Sequence, residues 1–292
     1  MDRKLIRPRA IEEALREREK YGRDALPIAG GQSLLVLLRN KLVDPQFLLD
    51  LQTLAELEGM KSRDGGLAIG AMTTIHTLAS SRTIQTMMPV LAQGASKVGS
   101  TAIRNMGTIG GNLCHNEPGA DLPPVLLALN AVAELRSSKG SRKIPLRKFF
   151  HNYFETVVTP EELVCSIEVP ALPRGASGVY LKHAISSEDL AIAGVAVVLV
   201  PDEKRTGVVR EARIALGGVA PVPLRAIKAE AVVSGAELND ETIRGVAEIA
   251  ASEADPMTDP HGSAEYRTKM VKVLVRRAIT AAAAQRNGNG KA

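Results

Sequence analysis

Two short phrases with the same chemical character stand about eighty residues apart, Ala29-Gly30-Gly31-Gln32-Ser33 and Thr108-Ile109-Gly110-Gly111-Asn112. Glycine has no side chain, so the backbone can approach a ligand closely or turn through positive φ. Successive N–H groups can then converge on one anion. If the two phrases meet in space, their amides and the Ser33 and Thr108 hydroxyls could hold a diphosphate from two sides, helped by the partial positive charge of a helix N-terminus. The competing reading is two unrelated turns. Neither phrase is a GxGxxG fingerprint, and no GKS or GKT follows either one, so Rossmann and P-loop chemistry are not indicated. The second phrase lies inside the polar stretch Arg104–Pro124, which reads as a loop poorly suited to a helix or a central strand.

The surrounding sequence says what would position these phrases. Leu5–Pro8 reads as an edge strand, Ile11–Tyr21 as an amphipathic surface helix, and Pro27–Ala29 as a strand running into the first glycines. Ser33 occupies an N-cap position ahead of the apolar run Leu34–Leu38, and Leu48–Leu51 is a further strand. Next come a hairpin signal at Gly65-Gly66, a strand at Leu67–Ala71 and a capped helix start in Thr73–Ser80. Helical character over Thr83–Leu91 is broken by Pro89. After the second phrase, Leu122–Ala133 begins as a helix and leads into strands over Ala131–Ser137, Arg142–Leu146 and Glu161–Val169. Ala171–Gly178, rich in Pro, Gly and Ser, is the best boundary in the chain. Beyond it, Gly178–Lys182, Ala191–Val200 and Val208–Leu216 predict an antiparallel sheet. Helices are expected over Leu224–Val233, Asp240–Ala251 and Glu265–Ala284. The result is α+β throughout, divided as 1–56, 57–174 and 178–286, with a polar tail at 287–292.

Composition narrows the function. The 292 residues are 45% hydrophobic, enough for two or three cores, and carry a mild net charge of +5 without a basic block. With four Phe, four Tyr and no Trp, no stacking aromatics interleave with the lysines and arginines, which argues against nucleic acid as a partner. Cys114 and Cys165 match no zinc or iron–sulfur spacing and favour a reducing compartment. The charged N-terminus has no apolar signal segment, and the longest apolar run, Leu190–Val200, is too short to span a bilayer. A cytoplasmic location is expected, with the inner face of the membrane as a variant of it.

Several ordered phrases together resemble one family. They are Leu5-Ile6-Arg7-Pro8, Ala29–Ser33, Ile69-Gly70-Ala71, Arg104–Asn112, Ala120–Pro124, Ala215–Ala220 and Ser263–Arg267. Over nearly its whole length the chain resembles the FAD-binding medium subunit of the molybdenum hydroxylases, as in aerobic carbon monoxide dehydrogenase and xanthine dehydrogenase. The resemblance implies a two-subdomain FAD-binding region of the vanillyl-alcohol-oxidase (PCMH) type, followed by a C-terminal α+β domain of the CO dehydrogenase flavoprotein type. It places Ala29, Gly30, Gly31, Gln32, Ser33, Thr108, Ile109, Gly110, Gly111, Asn112, Asp121, Leu122 and Lys182 at the cofactor. Asp121 would bond ribityl or ribose hydroxyls, Ile109 and Leu122 would wall the adenine or ring, and Lys182 would lie near the isoalloxazine. The implied partners are a large molybdenum-cofactor subunit and a small [2Fe-2S] subunit, assembled as a dimer of heterotrimers. Electrons would pass from a partner cluster through FAD to an external acceptor, with no metal and no catalytic side chain in this chain.

The sequence departs from the family at two places. Cys114 stands alone with no cysteine-bearing insertion, so no [4Fe-4S] cluster is expected. His183–Asp189 also lacks the paired arginines usual after the Lys182 position. Two other functions stay open on residues alone, a stand-alone flavin oxidase and a flavin-free assembly protein. No convincing acid or base for the former is visible. Asp255, Asp259 and His261 read as turn capping, and His115 and Cys114 as a loop histidine and a small packing residue.

Overall fold

The computed structural model describes residues 3–288. Three layered units follow one another. In the first, β1 (Lys4–Ile6), α1 (Ile11–Tyr21), β2 (Ala25–Ile28), α2 (Leu34–Arg39) and β3 (Phe47–Asp50) form a parallel sheet of order β1-β3-β2. α1 buries Ile11, Ala14 and Leu15 against Leu49, Leu51, Leu54 and Leu57, the one-sided stripe that its 3.6-residue period requires.

The second unit begins with the hairpin of β4 (Met60–Arg63) and β5 (Gly66–Gly70). Both residues of its turn, Asp64 and Gly65, have positive φ, as a two-residue hairpin demands. Helices α3 (Ile75–Ser80), α4 (Arg82–Met87), α5 (Pro89–Ser96), α6 (Thr101–Met106), α7 (Ile109–His115) and α8 (Leu122–Ala128) follow. Thr74, Ser81, Ser100 and Thr108 each cap the helix after them through the side-chain hydroxyl. Strands β6 (Val132–Ser137), β7 (Gly140–Pro145) and β10 (Leu163–Val169) complete an antiparallel sheet of order β4-β5-β10-β6-β7. The ribbon of β8 (Phe150–Asn152) and β9 (Glu155–Thr156) lies beside it.

The third unit is the antiparallel sheet β11 (Ser177–His183), β12 (Ala193–Pro201), β13 (Val209–Gly217) and β14 (Leu224–Arg225), with α9 (Ile227–Val233), α10 (Asp240–Ser252) and α11 (Ala264–Gly288). β12 reads as an unbroken apolar run because both of its faces are covered. Val195, Val197 and Leu199 meet the helices of their own unit, whereas Ala196 and Val198 join the core of the second unit. α11 continues to Gly288, two residues into the predicted tail; the rest of that tail lies outside the described residues.

The prediction of a loop across Arg104–Pro124 is corrected. Most of the stretch is helical, in the end of α6, all of α7 and the start of α8. Glycine lowers helix propensity, but α7 is short, and the Thr108 hydroxyl accepts from the Gly111 N–H at 3.1 Å to stabilise its first turn.

Candidate cofactor site

The two glycine phrases interlock. A Cβ built on Gly30 would stand 1.8 Å from the Met106 carbonyl oxygen and 2.9 Å from the Gly107 Cα, so only glycine lets these backbones touch. A Cβ on Gly110 would stand 2.6 Å from the Ala71 Cβ, at the end of β5. Both phrases line one cleft of about 960 Å³ between the first and second units.

Their hydrogen bonding differs. In the second phrase every leading amide is already engaged: Ile109 N–H donates to Thr73 O, Gly110 to Ala71 O, Gly111 to the Thr108 hydroxyl and Asn112 to Thr108 O. In the first phrase the carbonyls are engaged instead. Ala29 O accepts from the Gln52 amide group, Gly30 O from the Gln32 amide group, Gly31 O from Leu35 N–H, and Ser33 O from Val36 and Leu37. Among the described residues, no hydrogen bond engages the N–H groups of Gly30, Gly31, Gln32 or Ser33. Gly31, at φ 72°, supplies the left-handed step that turns successive amides to one side. Ser33 is αR rather than extended and its hydroxyl caps nothing, which leaves it available on the cleft.

This donor set fits an anionic dinucleotide. Four adjacent free N–H groups and a hydroxyl suit a diphosphate, and the buried Asn112 Oδ1, which has no partner, is an acceptor on the same cleft. Of the sequence-predicted residues, Ala29 through Ser33, Thr108, Gly110, Gly111 and Asn112 line this cleft. Ile109 and Leu122 do not; both are fully buried in the core of the second unit. Asp121 and Lys182 lie off the cleft, bonded to each other. Lys182 Nζ donates to Asp121 Oδ2 at 3.0 Å and to Lys97 O at 2.9 Å, while the Tyr180 hydroxyl donates to Asp121 Oδ1 at 2.7 Å. This polar lock joins α8 and α5 to β11. Burial pushes the Asp121 carboxyl up to about 6, against the opposing pull of Lys182 and Tyr180.

Sequence reasoning passed over Arg18, Met72, Ile75, Phe154, Leu163 and Val164, which also line the cleft. Only Arg18 carried a readable signal. It falls on the buried stripe of α1 after Ile11, Ala14 and Leu15, where an apolar residue is expected. Cys114 is exposed on the cleft. Burial lowers the pKa of His115 beside it. The Asp259 carboxylate accepts from the His261 and Gly262 N–H groups and from Arg267, a turn cap tied to α11.

A cleft lined by two glycine phrases between a small parallel unit and a larger antiparallel one, followed by a separate α+β layer, is the architecture of a flavoprotein of the PCMH type. Residues 1–172 match the family described as the FAD binding domain in molybdopterin dehydrogenase. Residues 179–282 match the CO dehydrogenase flavoprotein C-terminal domain. The chain is 36% identical over 275 residues to the glyceraldehyde dehydrogenase medium chain of Sulfolobus acidocaldarius, covering 94% of this chain and 96% of that one. It is 35% identical over 279 residues to the carbon monoxide dehydrogenase medium chain of Afipia carboxidovorans, covering 96% of each. The solved carbon monoxide dehydrogenase of Hydrogenophaga pseudoflava superposes with a TM-score of 0.94 at 35% identity, covering 98% of each chain. The chain therefore belongs to the FAD-binding medium subunits of the molybdenum hydroxylase family. It is an oxidoreductase subunit that binds FAD and transfers electrons within a heterotrimeric molybdenum hydroxylase or dehydrogenase.

Proposed function

We propose that the free amides of Gly30, Gly31, Gln32 and Ser33, with the Ser33 hydroxyl, hold the FAD diphosphate, and that Thr108–Asn112 shapes the opposite wall. The observation that carries this is the run of four unengaged N–H groups in residues that line a cleft, opposite a phrase whose own amides are already hydrogen-bonded. The Asn112 side chain would add a contact to the same cofactor. Asp121 and Lys182 serve first as a lock between the second and third units; their pairing fixes β11 against the flavin-binding region. Residues 1–56, 57–174 and 178–286 act as the three working units.

Bound FAD supplies reversible electron uptake and release, taking electrons from a [2Fe-2S] cluster in a small partner and passing them to an external acceptor. The protein's part is to orient the cofactor and keep one end of it reachable. A large molybdenum-cofactor subunit carries out substrate oxidation, and the whole assembles as a dimer of heterotrimers in the cytoplasm or at the inner membrane face. Among the described residues, no helix is long and apolar enough to cross a membrane.

Native co-purification with cofactor and metal analysis tests this reading. The expected result is about one FAD per chain together with a [2Fe-2S] protein and a molybdenum protein. A folded, colourless chain that takes up no added FAD would refute the flavin assignment. An FAD-loaded chain that oxidises a small molecule unaided would refute the assignment of substrate oxidation to a partner.

A further inference from the structure

Arg18 is not explained by the diphosphate-binding turns. It lines the cleft and is only 5% exposed. Its Nη1 donates to Gly22 O at 3.0 Å and Ala25 O at 2.5 Å, and its Nε is buried without a partner. Among the described residues, no carboxylate stands within ion-pair distance of it. Glu161 is close enough to act on it electrostatically but makes no contact ion pair, and a buried cation with an unpaired donor is destabilising unless something else satisfies it. The walls around it include Leu26, Pro160, Leu163 and Val164, apolar surfaces that could flank a flat ring.

We propose that Arg18 binds the adenine of the bound dinucleotide and so selects FAD over FMN. The inference rests on reading the cleft as an FAD site. Three observations lead to it. First, Arg18 grips the carbonyl of Ala25, at the start of β2, whereas the free amides begin at Gly30, just past its end. At roughly 3.3 Å per residue the chain sets the two as much as about 16 Å apart, which puts the guanidinium away from the amides that would hold the diphosphate. What lies beside Arg18 is a terminal group of the nucleotide. Second, Arg18 is almost fully buried, so a group lying against it is enclosed by the protein. A ring that trades electrons with partner subunits has to be reachable, and adenine does not. Third, a purine offers ring-nitrogen acceptors and a π-face, both of which a guanidinium recognises.

The test titrates the deflavinated full-length chain with FAD, FMN and ADP, for the wild type, Arg18→Leu and Arg18→Lys. Arg18→Leu should weaken FAD and ADP by about ten-fold and leave FMN within about two-fold. Arg18→Lys keeps the charge and a donor to the Gly22 and Ala25 carbonyls but loses the planar fork. It should show the same selective loss and covers the case in which the leucine variant does not fold. Equal weakening of FMN and FAD, or no change in any of the three, would overturn the proposal. A folded wild-type chain that binds neither FAD nor ADP would instead remove the cofactor reading on which it rests.

Discussion

The two glycine phrases have nearly the same composition and opposite hydrogen-bond states. At Gly30–Ser33 the carbonyls are tied down and the N–H groups are free. At Ile109–Asn112 the N–H groups are tied down by Thr73, Ala71 and Thr108. One phrase is a donor array and the other is a wall that keeps the array in shape. The difference arises from neighbours. Leu35, Gln32 and Gln52 take up carbonyls of the first phrase, whereas Ala71 and Thr73, just past β5, and Thr108 take up the amides of the second. A glycine pair therefore shows where backbones approach closely, and the bonding around it decides whether that approach serves a ligand or the fold.

Breaking the contact between the two phrases should have the largest effect. Gly30→Val drives a side chain into the backbone of Met106 and Gly107. We expect the protein to lose FAD by at least ~100-fold in affinity, read from the flavin retained after gel filtration. Gly110→Ala meets Ala71 rather than the cofactor. It should destabilise the fold by about 1–3 kcal/mol as local overpacking, visible in thermal unfolding of the apo-protein. Any loss of FAD affinity should be the smaller effect. If Gly110→Ala removes FAD while leaving apo stability intact, the assignment of the second phrase as a wall is wrong.

Asn112→Leu sharpens the contrast from the other side. The unpartnered Oδ1 costs the empty protein something, so its removal should leave apo stability equal or higher and weaken FAD by roughly ten-fold. Thr108→Ala removes only the cap of α7. A loss of about 1 kcal/mol with near-normal FAD content is expected in denaturant titration.

The smallest effect concerns the lock between the second and third units. The folded-state value of Asp121, about 6, lies above that of an unfolded aspartate. Folding therefore favours its protonated form. The stabilisation from this group is full at low pH and is lost as pH rises through about 6. Asp121→Asn should flatten that part of the stability profile between about pH 4 and 6, the interval between the unfolded and folded values. A profile with the same slope as wild type would show that Lys182 and Tyr180 hold Asp121 ionised throughout.

Much of the fold was legible. Helix α1 has the bounds its periodicity gave, the hairpin turn falls at Asp64-Gly65, one residue ahead of the predicted glycine pair, and β12 covers most of the predicted Ala191–Val200 and ends one residue later. These features depend on local periodicity and turn chemistry, which a sequence displays directly. The helix at Ile109–His115 was not legible, because its propensity is poor and its stability comes from a cap and from packing on β5 and β10. The family resemblance placed Asp121 and Lys182 at the cofactor. Their pairing, sixty-one positions apart, depends on how β11 packs against α5 and α8.

What the sequence settled by itself was the order of units and the identity of the family. Both are written in short, ordered, local phrases that survive without coordinates. Only the tertiary structure decided which amides remain available to a ligand. It also showed Arg18 to be buried with an unpartnered Nε, and Asp121 to be bonded to Tyr180 and Lys182. Availability depends on every competing hydrogen bond a group could make, and those competitors come from parts of the chain that only folding brings together.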